Sequence, residues 1–113
     1  MTVKDLINQF RQINGKEPVR NWNRVLDDHC LSHVLAIINS GKLYHAPEYY
    51  RKGYGEAVAC CDFITDWETT LRCLIFDVIG NSPEHREILL ESQEIGYGIM
   101  SDKNRVFITI RGK

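Results

Sequence analysis

Two histidines and one glutamate stand where their side chains could do chemistry. His45 lies in the segment GKLYH, Glu56 ends the segment GYGE, and His85 lies in NSPEHR. A neutral imidazole can bind a metal ion or accept a proton, and a carboxylate can act as a general base. The start of a helix at Ser82 would disfavour the imidazolium form of His85 and keep its ring neutral near pH 7. These residue types suit metal binding or proton transfer, although by themselves they specify no reaction.

A second pair of histidines shares one predicted helix. His29 and His33 are four residues apart, a spacing that places two imidazoles on one helix face and occurs in zinc sites. Such pairs are also common on helix surfaces when no third ligand lies nearby in the sequence. We therefore interpret His29 and His33 as surface residues of the helix rather than as a metal site.

Hydrophobic periodicity and capping signals predict the elements that must position these residues. Apolar residues recur at helical spacing or in β-prone runs, and Gly, Asn, Ser and Pro mark the boundaries. The predicted order is a helix over 3–14, a helix from Asn21 or Asn23 to Gly41, a loop from Lys42 to Tyr54, a strand over Glu56–Phe63, a helix from a Thr65–Glu68 capping box to Gly80, a helix over Ser82–Leu90, and a hairpin of 95–100 with 105–111. This order indicates a layered α+β domain.

Length and composition exclude several classes of protein. The chain has 113 residues, 43% of them hydrophobic, which fits a single globular domain over 1–113 with a real core. With 14 Lys+Arg against 15 Asp+Glu, the net charge of -1 offers no field that would attract nucleic acid or an anionic membrane.

The N-terminal sequence and the cysteines suggest a compartment. Lys4 and Asp5 interrupt the place where a secretory signal would be apolar, and the longest apolar runs are far shorter than the roughly 20 residues that cross a bilayer. The sequence therefore predicts a cytoplasmic protein. In that compartment we expect reduced thiols at the four cysteines, which are Cys30, Cys60, Cys61 and Cys73.

The segments that carry these features resemble, in order and spacing, those of the CAP or SCP superfamily, which includes cysteine-rich secretory proteins, antigen 5 and plant pathogenesis-related proteins. DDHCLSH is similar to the family's A-x-x-H-A helix, with Cys30 in place of Ala. GYGEAVA resembles its G-E-N segment, with Ala57 in place of Asn. NSPEHREILL followed by IGYGI resembles the bacterial S-P-G-H-R-x-N-I-L and I-G-V-G segments.

The resemblance implies an α-β-α sandwich, with a central antiparallel sheet between helical layers and a cleft that gathers histidines and acidic residues. By position, His45 and Glu56 match the first two residues of that group, and His85 matches its second histidine. The second acidic residue has no clear match, since Glu68 and Glu84 are both nearby. The resemblance implies weak binding of zinc or another divalent ion by His45 and His85, because two imidazoles leave open positions on a tetrahedral ion.

We therefore expect a metal- or small-ligand-binding module, with Tyr54 and Arg86 contacting the ligand at the rim of the cleft. Two alternatives stay open. The partner is a small molecule for a binding module or a hydrolase, and a protein for an interaction module. A metal-assisted hydrolase would use Glu56 as general base. A protein-interaction module with a vestigial cleft would bind through exposed aromatic residues, for which the candidates are Trp22, Tyr49 and Tyr50.

Overall fold

A mixed four-stranded sheet lies between two helical layers. The structure, a computed structural model, describes residues 1–46 and 55–113. Its helices are α1 (Val3–Ile13), α2 (Arg24–Ser40), α3 (Trp67–Arg72) and α4 (Pro83–Glu91). Its strands are β1 (Asn21–Trp22), β2 (Gly55–Asp62), β3 (Glu94–Asp102) and β4 (Arg105–Gly112). Helix α3 continues without a break into a π-helical segment, Cys73–Ile79.

The strand order is β1-β3-β4-β2, and β4 pairs antiparallel with both of its neighbours. The α+β class is thereby confirmed. The sheet is mixed rather than purely antiparallel, because β1 pairs parallel with β3 through Asn21 and Trp22. The sequence analysis missed β1, since two residues are too few to show a period. The Asn23 N–H continues the contact by donating to the Ile95 carbonyl at 3.0 Å.

The two faces of the sheet are covered by different helices. Helix α2 packs against β3 and β4, whereas α1, α3 with its π-helical extension, and α4 share the other face. The larger core lies on that second face, where one set of alternate strand residues packs against the helices. Its fully buried members include Leu6, Ile7, Leu74, Ile75, Ile79, Leu89, Ile95, Ile108 and Ile110.

Helix boundaries follow the capping chemistry of the sequence. The Asn23 side chain accepts the N–H groups of Val25 and Leu26 at 2.9 and 3.1 Å, and Gly41 ends α2 with a left-handed φ of 75°. The predicted Thr65 cap is wrong by one residue. The Asp66 carboxylate caps α3 instead, accepting the Thr69 N–H at 2.8 Å, since a carboxylate is a strong acceptor for the free N–H groups of a first turn.

A buried arginine joins α1 to the end of α4. Arg11 is only 8% exposed, and its Nη1 donates to the carbonyls of Leu89 at 2.7 Å and Ser92 at 3.1 Å. These carbonyls belong to the last turn of α4 and the residue after it, where intrahelical donors run out. Arg11 therefore satisfies the C-terminus of α4 and fixes where that helix ends.

Helix α2 lies directly on the sheet where β3 carries glycine. A Cβ at Gly98 would stand 2.4 Å from the Leu31 nitrogen and 2.6 Å from the Cys30 carbonyl carbon. Both of these atoms belong to the helix backbone, which cannot move aside as a flexible side chain could. Gly98 thus permits the close approach of α2 to β3.

Between α2 and the sheet lies a buried ion pair. Glu56 on β2 is directly opposite Arg111 on β4, and the Arg111 Nε donates to Glu56 Oε2 at 3.0 Å. The side chains of both residues are 0% exposed. A charge in such a position is tolerated only with a partner of opposite charge, so each residue depends on the other.

We expect Gly98→Ala to lower the free energy of unfolding by about 1–3 kcal/mol, because the new methyl group would push α2 off the sheet. Gly41→Ala is the matched control. A Cβ at Gly41 has nothing within 4 Å, so its cost is that of the left-handed backbone alone, about 1–2 kcal/mol. Urea unfolding measures the free energy of unfolding of both variants. A Gly98→Ala protein as stable as wild type would contradict the close approach of α2 to β3.

We expect Glu56→Gln to lower the free energy of unfolding by about 3–5 kcal/mol, because it keeps the volume but leaves the buried guanidinium without its carboxylate. The double variant Glu56→Gln, Arg111→Met removes both charges and should recover part of the loss. Chemical denaturation of the two variants beside wild type measures these differences in the free energy of unfolding. Equal stability of Glu56→Gln and wild type would show that the pair carries no such dependence.

Candidate functional site

A pocket of about 410 Å³ opens at the end of the sheet where β2 begins and β4 ends. The structure brings the three residues singled out in the sequence, His45, Glu56 and His85, together in it. They come from three separate elements, namely the segment after α2, strand β2 and the first turn of α4. The other lining residues are Gly55, Glu84, Glu87, Ile88, Glu91, Ser92, Gly112 and Lys113.

The buried Glu56 carboxylate accepts hydrogen bonds from three groups at the base of the pocket. Its Oε1 accepts from the His45 Nδ1 at 3.0 Å and from the Ala46 N–H at 2.8 Å, while Oε2 accepts from Arg111. A carboxylate oxygen accepts, so Nδ1 carries the proton in this contact and the lone pair of a neutral His45 ring resides on Nε2. Glu56 therefore selects the tautomer of His45 and holds the orientation of its ring.

His85 is kept neutral by its surroundings. Partial burial lowers its pKa from the ordinary value of 6.5, and the neighbouring His45 lowers it further, while Glu84 acts in the opposite direction. Desolvation disfavours the charged imidazolium form, since that form loses more hydration energy than the neutral ring. A neutral ring is the form that binds metal ions or accepts protons.

Three glutamates on α4 line the same pocket, of which Glu84 was a candidate in the sequence, whereas Glu87 and Glu91 were missed. Glu84, Glu87 and Glu91 are spaced by three and four residues, which places them on one helix face. That spacing was the available signal. Lys113 contributes a positive charge on the opposite side, and Glu91 also contacts Lys16 at 3.0 Å. The α4 side of the pocket is acidic, which favours positively charged occupants.

Of the two sequence candidates for the second acidic residue, one lines the pocket and the other does not. Glu84 lines the pocket, whereas Glu68 contacts the amino group of Met1 at 3.0 Å and lies outside it. Within residues 1–46 and 55–113, no group of three His, Cys, Asp or Glu side chains is gathered closely enough to hold a metal ion. The described part of the pocket thus offers two imidazoles among its lining residues rather than a closed ligand set.

Of the two ligand contacts expected at the rim, Arg86 is not brought to the pocket. Arg86 is directed to α1, where its guanidinium donates to the Asn14 side chain and lies 5.2 Å from the Phe10 ring. It is not among the residues that line the pocket, because its neighbour His85 occupies the inward face of α4. Tyr54 falls outside the described residues, as do Tyr49 and Tyr50.

His33 is a buried residue, which corrects its interpretation as a surface histidine. It is 6% exposed, and its Nε2 donates to the Tyr44 carbonyl at 2.6 Å. Its ring also packs edge-on against the Tyr44 ring, with centroids 4.9 Å apart. His33 therefore anchors the segment just before His45, while His29 stays exposed on the helix surface.

All four cysteines lie in the described part of the chain and are free thiols, as the sequence analysis expected. Cys30 is buried between α2 and the sheet, and burial raises its pKa to about 12. It is inert at neutral pH. None of the described helices is both long enough and apolar enough to span a membrane.

Comparison by sequence finds no matching family model and no significant match among curated proteins. Comparison by structure finds an outer surface protein of Borrelia burgdorferi, with a TM-score of 0.69 at 15% identity over 98% of this chain and 89% of that one. An extracellular, SCP-domain-containing protein of Bacillus anthracis gives a TM-score of 0.70 at 18% identity. The match covers 98% of this chain and 39% of the Bacillus protein.

A third similar structure is the venom allergen-like protein 4 of Schistosoma mansoni. Its TM-score is 0.62 at 16% identity, and the match covers 96% of this chain and 83% of that one. Identities this low establish the architecture alone. Together with the helix and strand order described above, these similarities show that the chain has a CAP/SCP-like fold.

Proposed function

We propose that the pocket binds a divalent metal ion, zinc being the best match, through His45 and His85. The observation that carries the proposal is the 3.0 Å contact between His45 Nδ1 and Glu56 Oε1. Histidines that bind metal through one ring nitrogen commonly donate the other N–H to a carboxylate, which fixes the ring and increases its basicity. The lowered pKa of His85 supports the same role for the second imidazole.

The donor set supports a weak, exchangeable site. Structural zinc sites use four protein ligands and catalytic ones generally three, whereas this pocket offers two imidazoles in the described part of the chain. The remaining positions would be filled by water or by a small ligand. A metal ion bound there would supply Lewis-acid chemistry.

Glu56 fits the role of a positioning residue better than that of a general base. Both of its oxygens accept hydrogen bonds from the protein, and its side chain is 0% exposed. A water molecule in the pocket would therefore meet a carboxylate that is buried and already hydrogen-bonded through both oxygens. The hydrolase alternative therefore stays a prediction, and its signature would be turnover that disappears when the metal is chelated.

The occupant of the open positions is a small molecule under this proposal. The pocket volume of about 410 Å³ falls within the roughly 300–1,000 Å³ of small-molecule sites. Its acidic α4 wall favours ligands that carry a positive group. The cytoplasmic location stays a prediction from the sequence, while two similar structures are named as an outer surface protein and an extracellular protein.

Zinc titration by calorimetry, with wild type beside a His45→Ala, His85→Ala variant, tests the proposal. We expect one ion per chain for wild type and binding at least about tenfold weaker for the double variant, because both imidazoles are lost. His29→Ala removes an exposed imidazole outside the pocket and is the matched control. Unchanged zinc affinity in a correctly folded double variant would refute the metal site.

The lowered pKa of His85 also predicts how the stability of the metal-free protein depends on pH. Below the unfolded value of 6.5, the unfolded chain binds a proton at His85 more readily than the folded chain does. The free energy of unfolding should therefore fall as the pH decreases through and below 6.5. His85→Gln, which does not titrate, should lose less stability over that range.

Urea denaturation in the presence of a chelator, from about pH 7.5 down to about pH 5, measures this difference. The histidines and carboxylates that do not interact with His85 are common to both proteins, so their contributions cancel, and His45 and Glu84 are the groups coupled to it. An equal or steeper loss of stability in His85→Gln would show that His85 is not desolvated in the folded pocket.

A further inference from the structure

A second groove lies at the opposite end of the sheet from the histidine pocket. We call it the hairpin groove, because it lies against the β3–β4 turn, and its volume is about 560 Å³. It is lined by Phe63, Trp67, Ser101, Lys103, Asn104 and Arg105. The β2–β4 ladder runs from Gly55–Gly112 at the histidine pocket to Asp62–Arg105 at this groove, a separation of roughly 24 Å at 3.4 Å per residue.

One wall of the hairpin groove is aromatic and open to solvent. Phe63 is 44% exposed, Trp67 is 48% exposed, and their ring centroids are 5.9 Å apart. Single exposed apolar residues are ordinary, but two exposed aromatic rings that pack against each other form a patch of the kind that marks binding surfaces. Tryptophan in particular is enriched at the centres of protein interfaces.

The aromatic wall is held rigidly. The Phe63 N–H donates to the Asn104 carbonyl at 2.7 Å, which fastens the wall to the hairpin turn. The Ile64 N–H donates to Thr70 Oγ1 at 3.0 Å, and Asp66 caps the helix that carries Trp67. Because the backbone of both rings is already ordered, binding a ligand here costs less conformational entropy than ordering a loop would.

The charged residues that line the hairpin groove are both cations. Lys103 forms no ion pair with any residue in the described ranges, and it adopts a left-handed backbone with φ of 56° at the tip of the turn. Arg105 contacts Asp62 at 3.5 Å and directs Nη2 to Cys60 Sγ at 2.8 Å. Its pair with Asp62 is solvent-exposed and contributes little to stability, so an incoming carboxylate can replace it.

We propose that the hairpin groove docks an acidic segment of a partner protein that carries an aromatic or large apolar side chain. The side chain packs on Phe63 and Trp67, and flanking carboxylates meet Lys103 and Arg105. Discrete carboxylates suit the groove better than a continuous phosphate backbone. Of the residues that the structure describes, only two cations line it, which is enough for individual carboxylates but too few to neutralise a run of phosphates.

The test uses the full chain, labelled with ¹⁵N, and three blocked pentapeptides. The probe is Glu-Glu-Phe-Glu-Glu, and the controls are Glu-Glu-Ala-Glu-Glu and Lys-Lys-Phe-Lys-Lys. We expect the probe to shift the amide resonances of residues 63–67 and 101–105 and to quench or shift the fluorescence of Trp67. Each control peptide lacks one half of the recognition, so it should bind about tenfold more weakly or worse.

Five variants locate the binding. Trp67→Ala and Lys103→Glu should each weaken the probe about tenfold, while Lys103→Asn, which suits the left-handed backbone, should give an intermediate loss. Arg20→Glu makes the same charge change at an exposed position outside the groove and should leave binding unchanged. His45→Ala should also leave it unchanged, which separates this proposal from the metal site.

Several results would overturn the proposal. If the basic peptide bound as tightly as the acidic probe, Lys103 and Arg105 would not select carboxylates. If the resonance shifts fell outside residues 63–67 and 101–105, the probe would bind elsewhere on the protein. Binding of phosphatidylglycerol vesicles without binding of the probe would make a membrane the occupant. Concentration-dependent association in sedimentation, abolished by Trp67→Ala, would make it a second copy of this chain.

Discussion

The buried pair of Glu56 and Arg111 is the constraint on which the histidine pocket depends. Neither side chain reaches solvent, so each needs the other, and they lie directly opposite in the β2–β4 ladder. A slip of one residue in that ladder would turn Glu56 to the other face of the sheet and bury two unpaired charges. The same carboxylate then orients His45 and holds the Ala46 N–H. Strand register, the path of the segment after α2 and the tautomer of one imidazole are therefore set by a single group.

The second imidazole is placed by helix packing rather than by charge. Arg11 holds the C-terminal carbonyls of α4, and the end of β4 presents a glycine to that helix. A Cβ at Gly112 would stand 2.0 Å from Ser92 Oγ, so any larger residue would push α4 away from the sheet. Close packing at this point is what brings His85 to the pocket that His45 and Glu56 line.

Elements with a sustained period or a strong cap could be predicted from the sequence, and contacts made across the fold could not. The apolar stripe of α2, its Asn23 cap and its Gly41 end were all visible. On the third helix, the spacing of Leu71, Leu74, Ile75 and Val78 predicts one buried stripe, but the structure leaves Val78 36% exposed and buries Ile79. The wider turn of the π-helical segment shifts the buried face by one residue, and no pattern of residue types predicts a π-helix.

The same limit applies to the candidate site. His45, Glu56 and His85 could be chosen because of their residue types and the family resemblance. The partnership of Glu56 with Arg111 could not, since the two residues are 55 positions apart in the chain. Arg86 was placed at the rim because it follows His85, yet successive residues of a helix point about 100° apart. Its guanidinium accordingly reaches α1 instead.

The two ends of the sheet present different surfaces because different elements meet there. At the Gly55–Gly112 end, a buried charge network and a closely packed helix hold imidazoles and carboxylates around a small volume. At the Asp62–Arg105 end, the hairpin turn and the start of α3 hold two aromatic rings beside two cations in the open. Eight paired residues of β2 and β4 separate these ends by roughly 24 Å. The two surfaces share no described lining residue, so the proposed metal site and the proposed docking surface can be tested separately with different variants.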